Sequence, residues 1–366
     1  MTSVTNARIR TAAGPVVAVA ATLASLGFAV PAAATPATGA SSVTVPAGFT
    51  AAIFASSTTL TKPDDIARLG ENLFVAFQNG VGSQGEPAPS GRTTSTVVEY
   101  NRQGREVAHW DLTGKIDGLG ADPRAHRVIA TVNEDGNSSI TTIEPERGEA
   151  EVTHYAYSPD PLPHGGGTDS VTVRGGVVYL AASAPATDAH GSTAGKPAMY
   201  RVEFSGKTAK LTSVFTDDVT ATDLVTGAKA PLNLTDPDSS CAVPRTVPGV
   251  GGSLMLVGQA DKQLVFVRHP GTREQSASVL PLGSEVDDTT FTTAARGTLY
   301  VVDNATGQIV AITGNFKRGQ AFASAAGLST VDLSSGRVTP FGSGIATPKG
   351  LLFVPADNGD DDRHDG

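Results

Sequence analysis

The chain lacks several features that would assign it to a familiar class of protein. Its single cysteine, Cys241, cannot form an internal disulfide, so the fold must depend on hydrophobic burial and backbone hydrogen bonds. No Cys or His residues cluster with zinc-site spacing, and neither a GxxxxGK[ST] phosphate loop nor a GxSxG nucleophile turn occurs. With 36 acidic against 27 basic residues and a net charge of −9, the sequence argues against a nucleic-acid-binding protein.

Only the N-terminus carries a long apolar run. Arg8 and Arg10 precede an apolar segment at 12–30, and the small residues 31–34 follow it. This order is typical of a secretory signal peptide, so we predict that residues 1–34 are removed. The alternative is a membrane anchor, but a span needs about 20 solidly apolar residues, and this run is interrupted by Gly, Pro, Ser and Thr. We therefore expect a protein of the extracellular space or cell envelope, without an integral membrane span after cleavage.

The rest of the chain is rich in Gly and Pro, and its apolar residues form runs of four to seven bounded by Gly, Asp, Asn or Pro. Such runs indicate β-strands, and helical periodicity is almost absent. We predict a flexible linker at 35–41, an all-β domain at 42–355 and a disordered acidic tail at 356–366. The bias towards Ala, Thr and Gly behind a signal sequence is typical of a bacterial exported protein.

A weak repeat divides this domain into units of about fifty residues. Each of the first five units begins with an Asp, continues through a strand and a turn, and reaches a very apolar strand such as Leu73–Ala76. The five aspartates are separated by 53, 52, 69 and 49 residues, which is about the length of four strands with their turns. A sixth unit starts at Thr347 and has no Asp. The repeat therefore predicts a six-bladed β-propeller.

The two ends of the predicted domain complement each other. The sixth unit stops near Pro355 without an outer hairpin, whereas 42–45 and 49–54 precede the first unit as two extra strands. We predict that these N-terminal strands close the last blade, which removes free sheet edges. Within this scheme, residues 310–327 are interpreted as a loop inserted into the fifth unit.

Residues 45–80, VPAGFTAAIFASSTTLTKPDDIARLGENLFVAFQNG, resemble the opening of NHL-repeat and gluconolactonase-like six-bladed β-propellers, and the resemblance extends over nearly all of 42–355. Gluconolactonase-like enzymes hold a metal with Glu, Asn and Asp residues from different blades. This chain has no early Glu in a recognisable ligand motif, because Glu86 lies in a loop rich in Pro, Gly and Ser. The resemblance therefore implies the fold more directly than the activity.

The aspartates that begin the units are the first candidates for a site. If the first strand of each blade lines a central channel, they converge on one channel mouth; they are Asp64, Asp117, Asp169, Asp238 and Asp287. Carboxylates at close range repel, so they must be spread apart, protonated, hydrogen-bonded to backbone or neutralised by a cation, for which a hard ion such as Ca²⁺ is suited. The alternative is structural, since an Asp before a strand often caps a turn by accepting backbone N–H bonds.

Two further sets of polar residues are candidates. The first follows the apolar strands and would bind a polar ligand, or else end the strands as turn residues; it includes Asn79, Asn133, Ser183, Gln259 and Asp303. The second is the run HGGGTDS at 164–170, in which His164 and Asp169 are candidate catalytic groups. A structural role for this His, with glycines that let the backbone pass close to the channel, is the alternative.

These observations favour two functions. The first is a non-catalytic binding module, acting as a monomer on a protein, peptide, glycan or small polar ligand. The second is a metal-dependent hydrolase or lactonase that uses the acidic channel mouth. Whether the chain is an enzyme is left open by the sequence, as is the identity of the ligand.

Overall fold

The computed structural model describes residues 42–145, 151–160, 167–183 and 195–356. The predicted signal peptide, the linker, the tail from residue 357 and the candidate His164 lie outside these ranges. All regular structure within them is β-strand, as the short apolar runs predict, and none of it is a helix able to cross a membrane.

Antiparallel meanders of four strands account for the first half of the domain. After an N-terminal strand, β1 (Phe49–Ser56), the first meander consists of β2 (Pro63–Leu69), β3 (Asn72–Phe77), β4 (Thr94–Tyr100) and β5 (Glu106–Thr113). The second consists of β6 (Ile116–Asp122), β7 (Arg127–Val132), β8 (Ser139–Glu144) and β9 (Glu151–Ser158). The third consists of β10 (Thr168–Arg174), β11 (Val177–Ala182), β12 (Pro197–Ser205) and β13 (Thr208–Thr216). Parallel pairing of β13 with β9 joins the last two into one eight-stranded sheet.

A short hairpin precedes the fourth meander. It consists of β14 (Thr220–Asp223) and β15 (Lys229–Pro231). The meander itself consists of β16 (Pro237–Ala242), β17 (Leu254–Gly258), β18 (Gln263–Arg268) and β19 (Ser276–Pro281). Because β14 pairs in parallel with β19, the hairpin extends this sheet at its outer edge to six strands.

The C-terminal strands are interleaved between two sheets. They are β20 (Thr289–Phe291), β21 (Arg296–Asp303), β22 (Gln308–Asn315), β23 (Ala321–Ser324), β24 (Leu328–Asp332), β25 (Arg337–Pro340) and β26 (Pro348–Pro355). One sheet has the order β20-β23-β24-β25, and the other has the order β1-β22-β21-β26. The hairpin β21–β22 thus leaves the sheet that β20 begins and joins the sheet that holds both ends of the domain.

Two expectations about this region are wrong. Residues 310–327 are not an inserted loop, because they contain most of β22 and all of β23. The fifth unit does not run from Asp287 directly into Leu299, since β20 pairs with β23 while β21 pairs with β26. Local strand signals do not distinguish these pairings: Leu299 in β21 and Phe322 in β23 are both completely buried.

The predicted meeting of the two ends occurs in a different form. β1 and β26 lie in one sheet, but the N-terminal segment contributes one strand to it rather than a hairpin. Upstream of β1, Thr44 makes only an isolated bridge to Ser343. The middle of the closing sheet comes from β21 and β22 because these strands carry the apolar residues that pack against Phe49 and Phe353.

The sheets form an all-β propeller around a central cavity. One strand at the edge of each sheet or meander faces this cavity; these inner strands are β2, β6, β10, β16, β20 and β26, and they contact one another in a closed cycle. The hydrophobic core lies between neighbouring sheets, where Trp110 of β5 stacks on Phe74 of β3 with ring centroids 6.1 Å apart. Ile116 of β6, fully buried, belongs to the same cluster.

Neighbouring inner strands approach so closely that glycine is required between them. A Cβ atom on Gly350 of β26 would lie 2.7 Å from the carbonyl oxygen of Asp64 and 2.8 Å from the Cα of Asp65 in β2. A Cβ on Gly118 of β6 would likewise meet the backbone at Asp169 and Ser170 of β10. Because backbone atoms cannot move aside as a flexible side chain can, these contacts fix the spacing of the ring.

Gly350→Ala should therefore destabilise the protein by about 1–3 kcal/mol, the usual cost of overpacking a tight contact. Gly283→Ala is the matched control, because a Cβ at Gly283 would meet nothing within 4 Å and its backbone does not need a positive φ. Denaturant unfolding of the two variants measures the difference. Equal stability of both variants would show that the inner strands are not constrained in this way.

Closure of the ring between β1 and β22 can be tested with a disulfide. Thr50 and Thr313 are register partners, and their hydroxyl oxygens lie 2.8 Å apart. We expect Thr50→Cys/Thr313→Cys to form a disulfide and to gain about 2–5 kcal/mol, because the bond closes a very long loop of the unfolded chain. Non-reducing peptide mapping by mass spectrometry identifies the bond. The control Thr50→Cys/Thr330→Cys should form none, since Thr330 belongs to another sheet; a bond there instead would contradict the pairing.

Candidate functional site

A β-bulge at the start of most inner strands directs a charged side chain towards the centre of the ring. The register slips between Pro63 and Ile66, and the same slip recurs in β6, β10, β16 and β26 at the equivalent positions. A bulge places two residues opposite one and re-aims their side chains. In each case the bulge contains the candidate Asp or, in β26, Lys349. Asp287 lies two residues before β20.

These residues line one cavity of 740 Å³. All five predicted aspartates lie on its wall, and we call them the acidic ring: Asp64, Asp117, Asp169, Asp238 and Asp287. Five further acidic residues line the same cavity, namely Asp65, Glu134, Asp135, Asp236 and Asp288. The basic lining residues in the described part of the chain are Lys62, Lys115 and Lys349. The wall therefore carries a large excess of carboxyl groups.

Two lysines neutralise part of this charge. The Nζ of Lys115 lies 2.6 Å from Oδ1 of Asp117 and also pairs with Glu134. Lys349 pairs with Oδ1 of Asp287. The carboxylate partners raise the pKa of both lysines against the opposing effect of burial, so both are cations across the physiological range. Lys349 occupies in β26 the position that Asp occupies in the other units.

The residue after each ring position connects neighbouring inner strands. Asp65 accepts a 2.7 Å hydrogen bond from the backbone N–H of Leu119 in β6, and Asp288 accepts one of 2.6 Å from the N–H of Leu351 in β26. Ser170 and Ser239 also connect neighbouring strands, but as donors. Their hydroxyls donate to the carbonyl oxygens of Asp238 (2.9 Å) and Asp287 (2.8 Å). Where this position is Gly118 or Gly350, the backbones touch directly. The sequence neighbours of the acidic ring thus hold adjacent inner strands together.

Two glutamines hold ring carboxylates from the preceding sheet. Gln78, which follows β3, donates to Oδ1 of Asp117 at 3.1 Å. Gln259, which follows β17, donates to Oδ1 of Asp287 at 2.9 Å. Each glutamine bridges its own sheet to the next inner strand, so these two carboxylates are fixed in orientation as well as partly neutralised.

Asp169 and Asp238 lie on the neighbouring inner strands β10 and β16, and both line the cavity. Burial, reinforced by the neighbouring carboxylates, raises the pKa of both. Oδ2 of Asp117 and Oδ2 of Asp238 are buried and have no hydrogen-bond partner among the described residues. Both oxygens are also shielded from solvent.

Burial also raises the pKa of the remaining ring carboxyls whose shift is resolved. Loss of hydration raises the pKa of Asp64 to about 7, although Lys349 acts in the opposite direction. Loss of hydration and the charge of Glu134 raise the pKa of Asp117 to about 8 against the opposing effect of Lys115. The folded protein therefore retains protons on this wall that an unfolded chain would have released.

The residues predicted to bind a ligand separate into two groups. Ser183 and Gln259 line the cavity. Asn79 and Asn133 do not: their Oδ1 atoms accept hydrogen bonds from the backbone N–H of Thr61 (3.1 Å) and Lys115 (3.0 Å), eighteen residues upstream in each case. Asp303 also bonds to backbone, accepting from Ala346 (3.1 Å) and Thr347 (3.0 Å). These three end their strands as turn residues, which is the alternative that the sequence left open.

The sequence did not identify the residues that form ion pairs with the acidic ring or connect its inner strands. Lys115 and Glu134 belong to no repeated motif. Asp65 and Asp288 directly follow Asp64 and Asp287, and the sequence gives no reason to assign them a different role. A signal did exist for Lys349, because it follows Pro348 as Asp64 follows Pro63 and Asp238 follows Pro237. In the described ranges, no three His, Cys, Asp or Glu side chains are grouped so as to hold a metal ion. The calcium site stays a prediction.

Comparison with known proteins finds only distant structural similarity. No family model and no curated protein matches the chain. Among solved structures it is similar to a periplasmic gluconolactonase from Pseudomonas aeruginosa, with 13% identity, coverage of 80% of this chain and 88% of that one, and a TM-score of 0.42. A Xanthomonas campestris gluconolactonase matches with 15% identity, coverage of 84% and 86%, and a TM-score of 0.39.

The WD40 propeller domain of Doa1 matches with 9% identity, coverage of 83% and 86%, and a TM-score of 0.38. Gluconolactonase-like propellers, which the sequence resembles, are thus among the matching structures, together with propellers of another kind. Similarity at this level carries no inference about the ligand or the reaction of this chain.

The raised pKa values of Asp64 and Asp117 predict that stability depends on pH. Unfolded Asp has a pKa of about 3.9, whereas these groups reach about 7 and about 8 when folded. The folded state then binds more protons than the unfolded state between these values, so the free energy of unfolding falls as the pH rises from about 4 to about 8. We expect a higher melting temperature at pH 5.5 than at pH 8, and a flatter dependence in Asp64→Asn/Asp117→Asn. Identical pH profiles of the two proteins would contradict the assignment.

Proposed function

We propose that the chain is an exported binding protein of the cell envelope or extracellular space, and that its central cavity binds a small, positively charged polar ligand. The observation that carries the proposal is the composition of the cavity wall, where ten carboxyl groups face three lysines. A volume of 740 Å³ lies within the range of small-molecule sites, which is about 300–1,000 Å³. The described wall thus combines a suitable size with a strong preference of charge.

The same proposal includes a ring of six blades. The eight-stranded sheet counts as two blades, one for each meander, and the hairpin β14–β15 counts as an addition to the fourth. Six inner strands in a closed cycle of contacts support this count. The interleaved strands β20–β26 then supply the fifth and sixth blades.

Electrostatics gives the reason for cation binding. Carboxyl groups that are close together and removed from water raise one another's pKa, because their charged forms are destabilised. A bound cation stabilises the charged forms and so gains binding free energy. Lys115 and Lys349 form ion pairs with Asp117 and Asp287. The remaining carboxyl groups attract a cation through a partly dehydrated medium, where Coulomb interactions are stronger than in bulk water.

Metal-dependent hydrolysis is the second function considered from the sequence. A calcium ion would bind the same wall through oxygen ligands. No feature of the described site favours calcium over an organic cation, so the experiment below uses calcium as a second probe.

A matched set of five-carbon probes tests the proposal. We expect 1,5-diaminopentane to bind the purified protein in isothermal titration calorimetry, while uncharged 1,5-pentanediol and anionic pentanedioate do not bind. By mass action, a probe at about 100 times its dissociation constant stabilises the protein by about 2–3 kcal/mol and raises its melting temperature. Calcium chloride in place of the diamine tests the metal reading. Equal binding of the diol, or no binding of either cation, would disprove cation binding.

A further inference from the structure

We propose that the acidic segment 357–366 binds across a second pocket, where Arg68 and Arg102 pair with its aspartates. The inference is independent of the proposed cation binding, because this pocket shares no lining residue with the central cavity. It assigns an occupant to a groove at the joint of the ring, which we call the seam groove. It also gives the charge of this segment a part in closing the ring.

The seam groove lies where the two ends of the ring meet, and its volume is 190 Å³. The first meander and the closing sheet each provide one wall, and their strands β2, β21 and β26 contact one another. The wall on the side of the first meander carries Arg68, Glu71, Leu73 and Arg102, and the wall on the side of the closing sheet carries Tyr300 and residues 354–356. A group that binds in this groove therefore contacts both ends of the ring at once.

Positive charge exceeds negative charge on the lining of the groove. Nη2 of Arg68 lies 3.6 Å from Oε1 of Glu71, and Arg102 pairs with Oε2 of the same residue. Two guanidinium groups thus share one carboxylate, and Glu71 is the only acidic residue among the lining residues that the structure describes. The side chains of Arg68 and Arg102 are 31% and 54% exposed, so both are open to a further partner. A guanidinium group has five N–H donors in a fork that fits carboxylates.

The field of the two arginines extends across the seam to the closing sheet. Burial raises the pKa of Tyr300, whereas a hydrogen bond with Thr298 and the charges of Arg68 and Arg102 act in the opposite direction. The guanidinium groups of the first meander therefore lie close enough to the closing sheet to act on a side chain of β21. An anionic group in the groove would meet this positive field from both walls.

The segment that follows the closing sheet starts in the groove itself. Ala356 is one of the lining residues, and its backbone N–H donates to the carbonyl oxygen of Arg296 at 3.0 Å, which fixes the chain at this point. The next residues, DNGDDDRHDG at 357–366, contain five aspartates and one arginine. Since an extended residue spans about 3.3–3.6 Å, the run of aspartates at 360–362 lies within about 20 Å of Ala356 along the chain. The segment can therefore reach both arginines.

Covalent attachment makes weak ion pairs sufficient for this binding. Exposed pairs are individually weak and are screened by salt. A short tether holds the aspartates at an effective concentration in the millimolar range around the arginines, so binding does not require a high intrinsic affinity. Charge attraction of this kind needs no regular secondary structure, which agrees with the acidic tail predicted from the sequence. Pairing would connect the strand that ends the domain to the first meander, in addition to the pairing of β1 with β22.

Carbodiimide cross-linking of the purified full-length protein tests the proposal, because this reagent joins an amine directly to a carboxylate that it contacts. Arg102→Lys keeps the positive charge and introduces an amine next to Glu71. We expect peptide mapping by mass spectrometry to find two links from position 102, one to Glu71 and one to the aspartates at 360–362. Arg201→Lys is the matched control, because Arg201 is 48% exposed and pairs with Glu203 as Arg102 pairs with Glu71. Its amine should link to Glu203 alone.

A second pair of variants tests whether charge in the groove drives the contact. Adding Arg68→Gln to Arg102→Lys should lower the yield of the link to 360–362 by about threefold, since one of two ion-pairing groups is lost. Adding Arg268→Gln instead should leave the yield unchanged. Arg268 is an exposed arginine of the fourth meander that donates to the carbonyl oxygen of Gly249 at 2.6 Å. Melting temperatures confirm that each variant is folded.

The outcomes decide between the groove and other destinations of the segment. A link from position 102 to Glu71 without any link to 357–366 would show that the groove does not bind the segment. Equal linking of 360–362 to positions 102 and 201 would show attraction without a site, and so would an unchanged yield in the variant with Arg68→Gln. An equal mixture of ¹⁵N-labelled and unlabelled protein identifies links between molecules. If these account for the link at position 102, the groove binds a second copy, and the intramolecular assignment is wrong.

Discussion

The close packing of the inner strands is the constraint on which the rest of the structure depends. Gly118 and Gly350 lie where a single added Cβ would overlap the backbone of the next strand. At this spacing, one acidic residue from nearly every inner strand must share a small volume with the others. Charge repulsion is then unavoidable, and the chain counters it with lysines, with glutamine donors and with protons retained on carboxyl groups. The chemistry of the cavity is a consequence of this geometry.

These responses are unevenly distributed around the acidic ring. Asp287 has both a lysine and a glutamine, and so does Asp117 at one of its two oxygens. For Asp169 and Asp238, burial and the neighbouring carboxyl groups raise the pKa. A ring with the same residue in every unit would attract a cation to its axis. Lysine in the sixth unit breaks this symmetry.

The repeat in the sequence was sufficient to predict an all-β propeller and the location of its acidic ring, because both follow from local patterns. Asp64, Asp117 and their equivalents each stand at a fixed point before an apolar strand, and the bulge there directs them inward. Pairing between distant strands was not predictable in the same way. β21 and β23 have equally buried apolar residues, so nothing local indicates that β20 pairs with the later one. The partners of Asp117 were also hidden, since Lys115 and Glu134 come together only through the folded meander.

The interleaving of β20–β26 also affects the order in which the domain can form. The closing sheet draws its strands from three separate parts of the chain, 49–56, 296–315 and 348–355. A chain that emerges from a ribosome or a translocase in the N-to-C direction presents β1 first but must wait for β26, nearly three hundred residues later. Until then β21 has an open edge, and contacts of such high sequence separation form slowly. The ring is therefore completed only after synthesis of the whole domain, and a nascent chain held short of Pro348 exposes an unpaired strand that invites chaperone binding or aggregation.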